Sequence, residues 1–257
     1  MINKNTKDQP VGIFDSGVGG LTVAKAIIDE LPNENIIYLG DTARTPYGTR
    51  NKEEIVKFSL ELTRFLLKKK VKCLVVACNT ISANALEEII KISPVPVVDV
   101  IAPTIASVSG RAGAIATSGT ISSGAYSKVV VMSKACPLFV SLVEEGITSG
   151  IEVDKIARGY LLDFKKAKID TLILGCTHFP LLRDVIAKTM GSKVKLIESG
   201  KPTAKKLRQI LVKNGLLRIK SNPRHKLLFT NNLGRVEKVG QNFFGKPLPG
   251  KIGKIDL

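Results

Sequence analysis

The stretch LVVACNTISANAL, residues 74–86, returns later in the chain in altered form as LILGCTHFPLL, residues 172–182. In both, an aliphatic run ends in a small residue and then a cysteine, with a threonine one or two places on. A short aliphatic run bounded by turn formers reads as a strand buried on both faces. The polar residues after each cysteine then open a turn into a helix. Each segment is therefore a strand, a tight cysteine-bearing turn and a helix, and two copies of that unit predict two similar α/β halves.

The alternation extends outward from both copies. VGIFD (11–15), NIIYLGD (35–41), KCLVVA (72–77), VPVVDV (95–100), AGAIAT (112–117), DTLILG (170–175) and KVKLIE (193–198) read as strands. Between them GGLTVAKAIIDELP, NKEEIVKFSLELTRFLLKKK and PLLRDVIAKTM have helical spacing and ends. Such a pattern predicts parallel doubly wound sheets with functional loops at the carboxyl ends of the strands. The expected fold class is α/β, with two pseudo-symmetric doubly wound parallel-sheet domains facing each other across a cleft. The first is placed at 1–99 plus 208–257, carrying Asp15 and Cys78, and the second at 100–207, carrying Cys176 and His178.

Composition sets limits. With 257 residues, 44% of them hydrophobic and 24% charged, the chain can bury one large core or two compact ones. The opening MINKNTKDQPVGIFDSG has no apolar segment before a cleavage site, and no window reaches the roughly 20 apolar residues of a membrane span. A cytoplasmic protein without a membrane partner is expected. Cys73, Cys78, Cys136 and Cys176 read as free thiols, because disulfide frameworks belong to small secreted domains. There is no CxxC pair, and only His178 and His225 offer nitrogen ligands, so no metal site is expected.

The net charge is +17, and from Lys193 to Lys226 eleven Lys/Arg face a single acid, Glu198. That raises the question of nucleic acid. Aromatic residues are 5% of the chain and Trp is absent, which leaves few stacking platforms. A solvated basic face without specific nucleic-acid binding is the expectation. The alternative from another class is a basic nucleic-acid-binding module on a degenerate enzyme fold.

FDSGVGGLTV (14–23) makes a Gly-rich turn from strand to helix but lacks both the GxGxxG spacing and the Lys-Ser/Thr of a P-loop. It offers an acid at the strand end, Asp15, followed by a hydroxyl, Ser16; the plainer alternative is that Asp15 caps the next helix. GDTARTPYGTR (40–50) sets Tyr47 and Gly48 in a turn on the same edge, with backbone N–H groups available to a carboxylate. A helix N-terminus favours the thiolate of a cysteine, and Cys78 and Cys176 both read as lying there. Asn79 and Thr80 follow the first, Thr177 and His178 the second. Cys73 and Cys136 read as buried structural residues.

Two opposed thiols suit inversion of a carbon stereocentre, one as thiolate taking a proton and the other as thiol giving one to the opposite face. The competing use is a nucleophilic cysteine with His178 as its base, but Cys176 and His178, two apart on one turn, are not expected to touch. No Lys sits in a motif suited to a pyridoxal Schiff base, and no organic cofactor is expected.

DSGVGGLTV, GDTARTPYG, ACNT, ATSGT, ACPLFVSLVEEG and GCTHFPLL, in consistent order, together resemble the glutamate racemases of the cofactor-independent aspartate/glutamate racemase superfamily. The resemblance implies interconversion of L- and D-glutamate, with D-glutamate going to peptidoglycan, and a homodimer as a common assembly. Aspartate or another amino acid is the alternative substrate within the superfamily. By the same resemblance Cys78 and Cys176 are the acid/base catalysts, Asp15 assists Cys78, and His178 and Glu144 assist Cys176. The family's spacing favours Glu144 over Glu145. Asp15, Ser16, Tyr47, Gly48, Asn79, Thr80, Thr117, Thr120, Thr177 and His178 are implied to line the glutamate pocket.

Overall fold

The computed structural model describes residues 6–231, 233–245 and 247–257. The strands are β1 (Val11–Asp15), β2 (Ile36–Gly40), β3 (Cys73–Val76), β4 (Val97–Asp99), β5 (Ala112–Ala116), β6 (Met132–Ala135), β7 (Thr171–Gly175), β8 (Lys195–Glu198), β9 (His225–Phe229) and β10 (Lys251–Lys254). The helices are α1 (Leu21–Glu30), α2 (Lys52–Lys68), α3 (Asn79–Ile92), α4 (Ile101–Ile105), α5 (Ser118–Ser122), α6 (Pro137–Glu144), α7 (Ile151–Lys166), α8 (Arg183–Met190), α9 (Gly200–Lys213) and α10 (Leu233–Phe244).

Two sheets form, as the doubled cysteine segment predicts. The first has the order β10-β9-β2-β1-β3-β4 and the second β6-β5-β7-β8, with every pairing parallel. The two cysteine strands sit inside their sheets, β3 beside β1 and β7 beside β5. Every residue of β1, β3, β5 and β7 is buried, which is what a continuous aliphatic run codes for in a sheet covered on both faces. The helices supply that cover. In α2 the buried positions Ile55, Ser59, Leu62, Thr63 and Leu66 form one stripe, and the Asn51 side chain caps it by accepting the Glu54 N–H at 2.8 Å.

Three strands, β6, β9 and β10, lie outside the runs read from sequence. Their compositions are MSKA, HKLLF and KIGK, each with exposed or half-exposed positions. They occupy one edge of the second sheet and the outer two places of the first, where one face or edge meets solvent and the aliphatic signal fades. Helix α9 packs on α1.

The basic segment divides into two parts. Arg218 is structural: its backbone N–H donates to Glu34 at 2.9 Å and its guanidinium reaches Asp8 at 3.2 Å. Glu34 also holds the buried Lys72 ammonium at 2.5 Å, which donates to the carbonyls of Lys7 and Leu216 at 2.7 and 2.9 Å. Lys193, Lys195, Lys201, Lys205 and Lys206 are exposed.

Candidate active site

Both cysteines follow the carboxyl ends of their strands, but the two turns differ. Cys78 is the N-cap of α3, as expected. Cys176 precedes a 3₁₀ turn, Phe179–Leu182, and the α-helix begins only at Arg183. Pro180, at the start of that turn, has no N–H to give to an α-helical ladder. The expectation of two equivalent helix N-termini therefore holds for Cys78 and fails for Cys176.

The environment of Cys78 corrects a second expectation. Burial, and next the nearby Asp15 charge, push its thiol up to about 12, so desolvation outweighs the helix terminus. Ser16 stands beside the thiol, with Oγ 3.6 Å from Sγ. Asp15 is buried, and one carboxylate oxygen accepts the Gly17 N–H at 2.9 Å. Burial raises its pKa, opposed by the charge of His178 and by that N–H. The N–H of Gly20, the N-cap of α1, opposes that rise as well.

Around Cys176 the device is a histidine. His178 folds back with φ −81° and ψ −32°, bringing Nδ1 to 3.8 Å from Cys176 Sγ. Residues two apart on this turn thus do touch, contrary to the reading from spacing alone. On the far side Nε2 lies 2.7 Å from Glu144 Oε1 at the end of α6, and Phe243 of α10 stands edge-to-face on the ring at 5.0 Å between centroids. Burial works against a charged imidazole here. The bonds to Cys176 and Glu144 overcome it and hold the His178 pKa up at about 10, which favours a charged imidazolium beside the Cys176 sulfur.

One small cavity of about 160 Å³ joins the two sets of groups. Ser16, Tyr47, Gly48, Cys78, Asn79 and Thr80 line it from the first half, and Thr117, Cys176, Thr177 and His178 from the second. Two residues expected in the lining stand behind it. Asp15 is turned to the Gly17 N–H, and the Thr120 hydroxyl is taken up in a ring with Thr80 at 3.3 Å and Thr117 at 3.0 Å. The Asn79 amide nitrogen donates to Tyr126 Oη at 2.9 Å and Ser199 Oγ at 3.3 Å. Glycine is required where the halves meet. A Cβ on Gly19 would lie 2.3 Å from Thr177 Oγ1 and 2.6 Å from His178 Nδ1, and one on Gly48 2.7 Å from the Thr117 side chain. A larger hollow of about 560 Å³ among α1, α9 and α10 touches Cys176 and Thr177 but neither Cys78 nor His178, so the smaller cavity is the one where two thiols converge.

Residues 20–207 match the Asp/Glu/Hydantoin racemase family. The chain is 46% identical over 259 residues to the glutamate racemase of Geobacter metallireducens, covering 95% of this chain and 94% of that protein. It is 45% identical over 255 residues to that of Bacillus cereus, covering 94% and 95%.

The chain belongs to the glutamate racemase family.

Its fold agrees. A glutamate racemase structure from Francisella tularensis, solved in complex with D-glutamate, superposes with a TM-score of 0.92 at 39% identity, covering 97% of this chain and 98% of that one. For a glutamate racemase family member, the lining residues that sequence reasoning passed over are instructive. Thr45, Pro46 and Thr49 flank the expected Tyr47 and Gly48, Ser118 follows Thr117, and Pro137, Leu138, Val140 and Ser141 come from α6. The α6 residues lay within ACPLFVSLVEEG, a segment whose only residue assigned to the site was its acid. One face of α6 lines the cavity while its end delivers Glu144, a pairing set by helix geometry.

Proposed function

We propose that this chain interconverts L- and D-glutamate by proton transfer between Cys78 and Cys176, without a cofactor. The observation that carries the reading is the convergence of two thiols, one from each sheet, on a single cavity. The substrate is taken from the names of the relatives and from the D-glutamate bound in the Francisella tularensis protein.

One cysteine, as thiolate, removes the α-proton, and the other, as thiol, delivers a proton to the opposite face of the carbon. Removing a proton beside a carboxylate concentrates negative charge in the transition state, so N–H and hydroxyl donors are needed where it develops. The N–H groups at the start of α3 and the hydroxyls of Ser16, Thr80, Thr117 and Thr177 are donors of that kind at the cavity. The His178 imidazolium sits against Cys176, where it stabilises a thiolate. Asp15, buried close to Cys78, sets the charge that its thiol feels. The two thiols therefore work in unlike surroundings although the reaction they share is symmetric.

The resemblance adds that Cys78 faces D-glutamate and Cys176 faces L-glutamate, that D-glutamate supplies peptidoglycan, and that a homodimer is a common assembly; the compartment expected from the sequence is the cytoplasm. No described helix is long and apolar enough to cross a membrane. The division into domains at 1–99 plus 208–257 and 100–207 belongs to the same proposal. Strands β1–β4, β9 and β10 fall in the first sheet and β5–β8 in the second, and α9 spans the second boundary.

The test is racemisation in D₂O followed by circular dichroism and proton NMR. The inverted product gains one deuteron at the α-carbon while unreacted substrate stays unlabelled at early times. Cys78→Ser and Cys176→Ser each abolish racemisation in both directions, because a hydroxyl is far less acidic than a thiol. Near-normal turnover in either variant would sink the two-thiol mechanism.

A further inference from the structure

Asp41 follows β2 and is wholly buried, yet it stands outside the cavity lining. Its carboxylate accepts three side-chain hydrogen bonds. One oxygen takes the Tyr47 hydroxyl and Arg44 Nε, the latter at 2.6 Å, and the other takes the Thr230 hydroxyl at 2.8 Å. An ionised carboxylate out of water is costly unless it is paired and hydrogen-bonded, and here every donor but Thr230 comes from the loop that follows it.

Thr230 comes just after β9. Its oxygen also accepts the Ala43 N–H at 2.8 Å. Next to it, the Thr42 hydroxyl donates to the Asn231 carbonyl at 2.6 Å and accepts the Asn231 N–H at 2.9 Å. The start of the 41–50 loop is thus tied to a strand end that sequence reading did not find. The other end is closed by Arg50 Nε donating to the Arg44 carbonyl at 2.9 Å, and Arg44 itself pairs with Glu61 of α2.

The loop tip, Tyr47 and Gly48, is a wall of the cavity. It reaches so far toward the second half that a Cβ on Gly48 would overlap Thr117. The Tyr47 hydroxyl is spent on Asp41, and burial together with that carboxylate pushes its pKa far above the ordinary tyrosine range. What Tyr47 and Gly48 present to the cavity is therefore ring and backbone.

We propose that Asp41 is a positioning residue: seated by Thr230, it holds the Tyr47–Gly48 wall where the backbone N–H groups of the loop reach a carboxylate of the substrate. The substrate part rests on the glutamate reading above, whereas the anchor does not.

The test uses the full chain with Thr230→Val, Thr230→Ser and Asp41→Asn. Steady-state kinetics are measured from both enantiomers, and amide hydrogen exchange over residues 42–49. Thr230→Val raises KM for L- and D-glutamate alike by about tenfold, the scale of one charge-assisted hydrogen bond, and leaves kcat within about twofold. It also speeds exchange at Ala43 and through the loop. Thr230→Ser, which restores the hydroxyl, restores both readouts, and Asp41→Asn shifts them in the same direction as Thr230→Val. Unchanged KM and exchange in folded Thr230→Val would overturn the proposal, as would a fall in kcat at constant KM or failure of Ser to rescue. Should Asp41→Asn not fold, the Thr230 pair decides alone. If the wild-type chain does not racemise glutamate, the proposed function fails by that result, and the exchange data still decide whether the anchor holds the loop.

Discussion

Glu144→Gln keeps a group of nearly the same size 2.7 Å from His178 Nε2 but removes its charge. In the wild type the His178 pKa is held at about 10 against burial by bonds to Cys176 and Glu144. A hydrogen bond to a charged partner contributes about 1.5–3 kcal/mol, and one pKa unit corresponds to about 1.4 kcal/mol. The neutral amide should therefore lower the His178 midpoint by about 1–2 units. The chain has only two histidines, and burial lowers the other, His225, below its ordinary value of 6.5. Their ring proton signals should titrate well apart in an NMR pH series. Linkage gives a second readout. Because the folded-state pKa of His178 is raised above its unfolded value of about 6.5, its stabilising contribution is complete below that pH and is lost as pH climbs toward 10. Tm of the wild type should therefore fall over this window, and Glu144→Gln should lose its smaller share at lower pH. A wild-type His178 midpoint near 6.5, or one that Glu144→Gln leaves in place, would refute the account of this pair.

Asp15→Asn and His178→Asn should slow the two directions of racemisation unequally, because one charge lies near Cys78 and the other against Cys176. The equilibrium constant is fixed, so each imbalance in kcat must be matched in KM; identical effects of both changes on both directions would count against separate roles. Lys72→Met, which strips the buried partner from Glu34, should destabilise by about 3–5 kcal/mol and lower Tm by about 10 °C in a calorimetric scan. An unshifted transition would show that Glu34 needs no cation.

The two-sheet α/β plan, the strands at the sheet centres and the placing of two cysteines at strand ends were legible before any packing was known. These are local properties. A strand buried on both faces must be aliphatic throughout, and a turn leaving it must break that run, so LVVACNT and LILGCTH are legible without knowing what packs on them. Tertiary structure decided what depends on partners remote in the chain. The outer strands β6, β9 and β10 carry polar residues because part of their surface meets solvent, and that halves the signal. Glu144 rather than its neighbour meets His178 because α6 ends where it does against the cysteine turn. The Cys78 thiol is shifted by burial that no local motif records. The Asp41 anchor joins residues 189 positions apart, and only the parallel pairing of β2 with β9 brings them together.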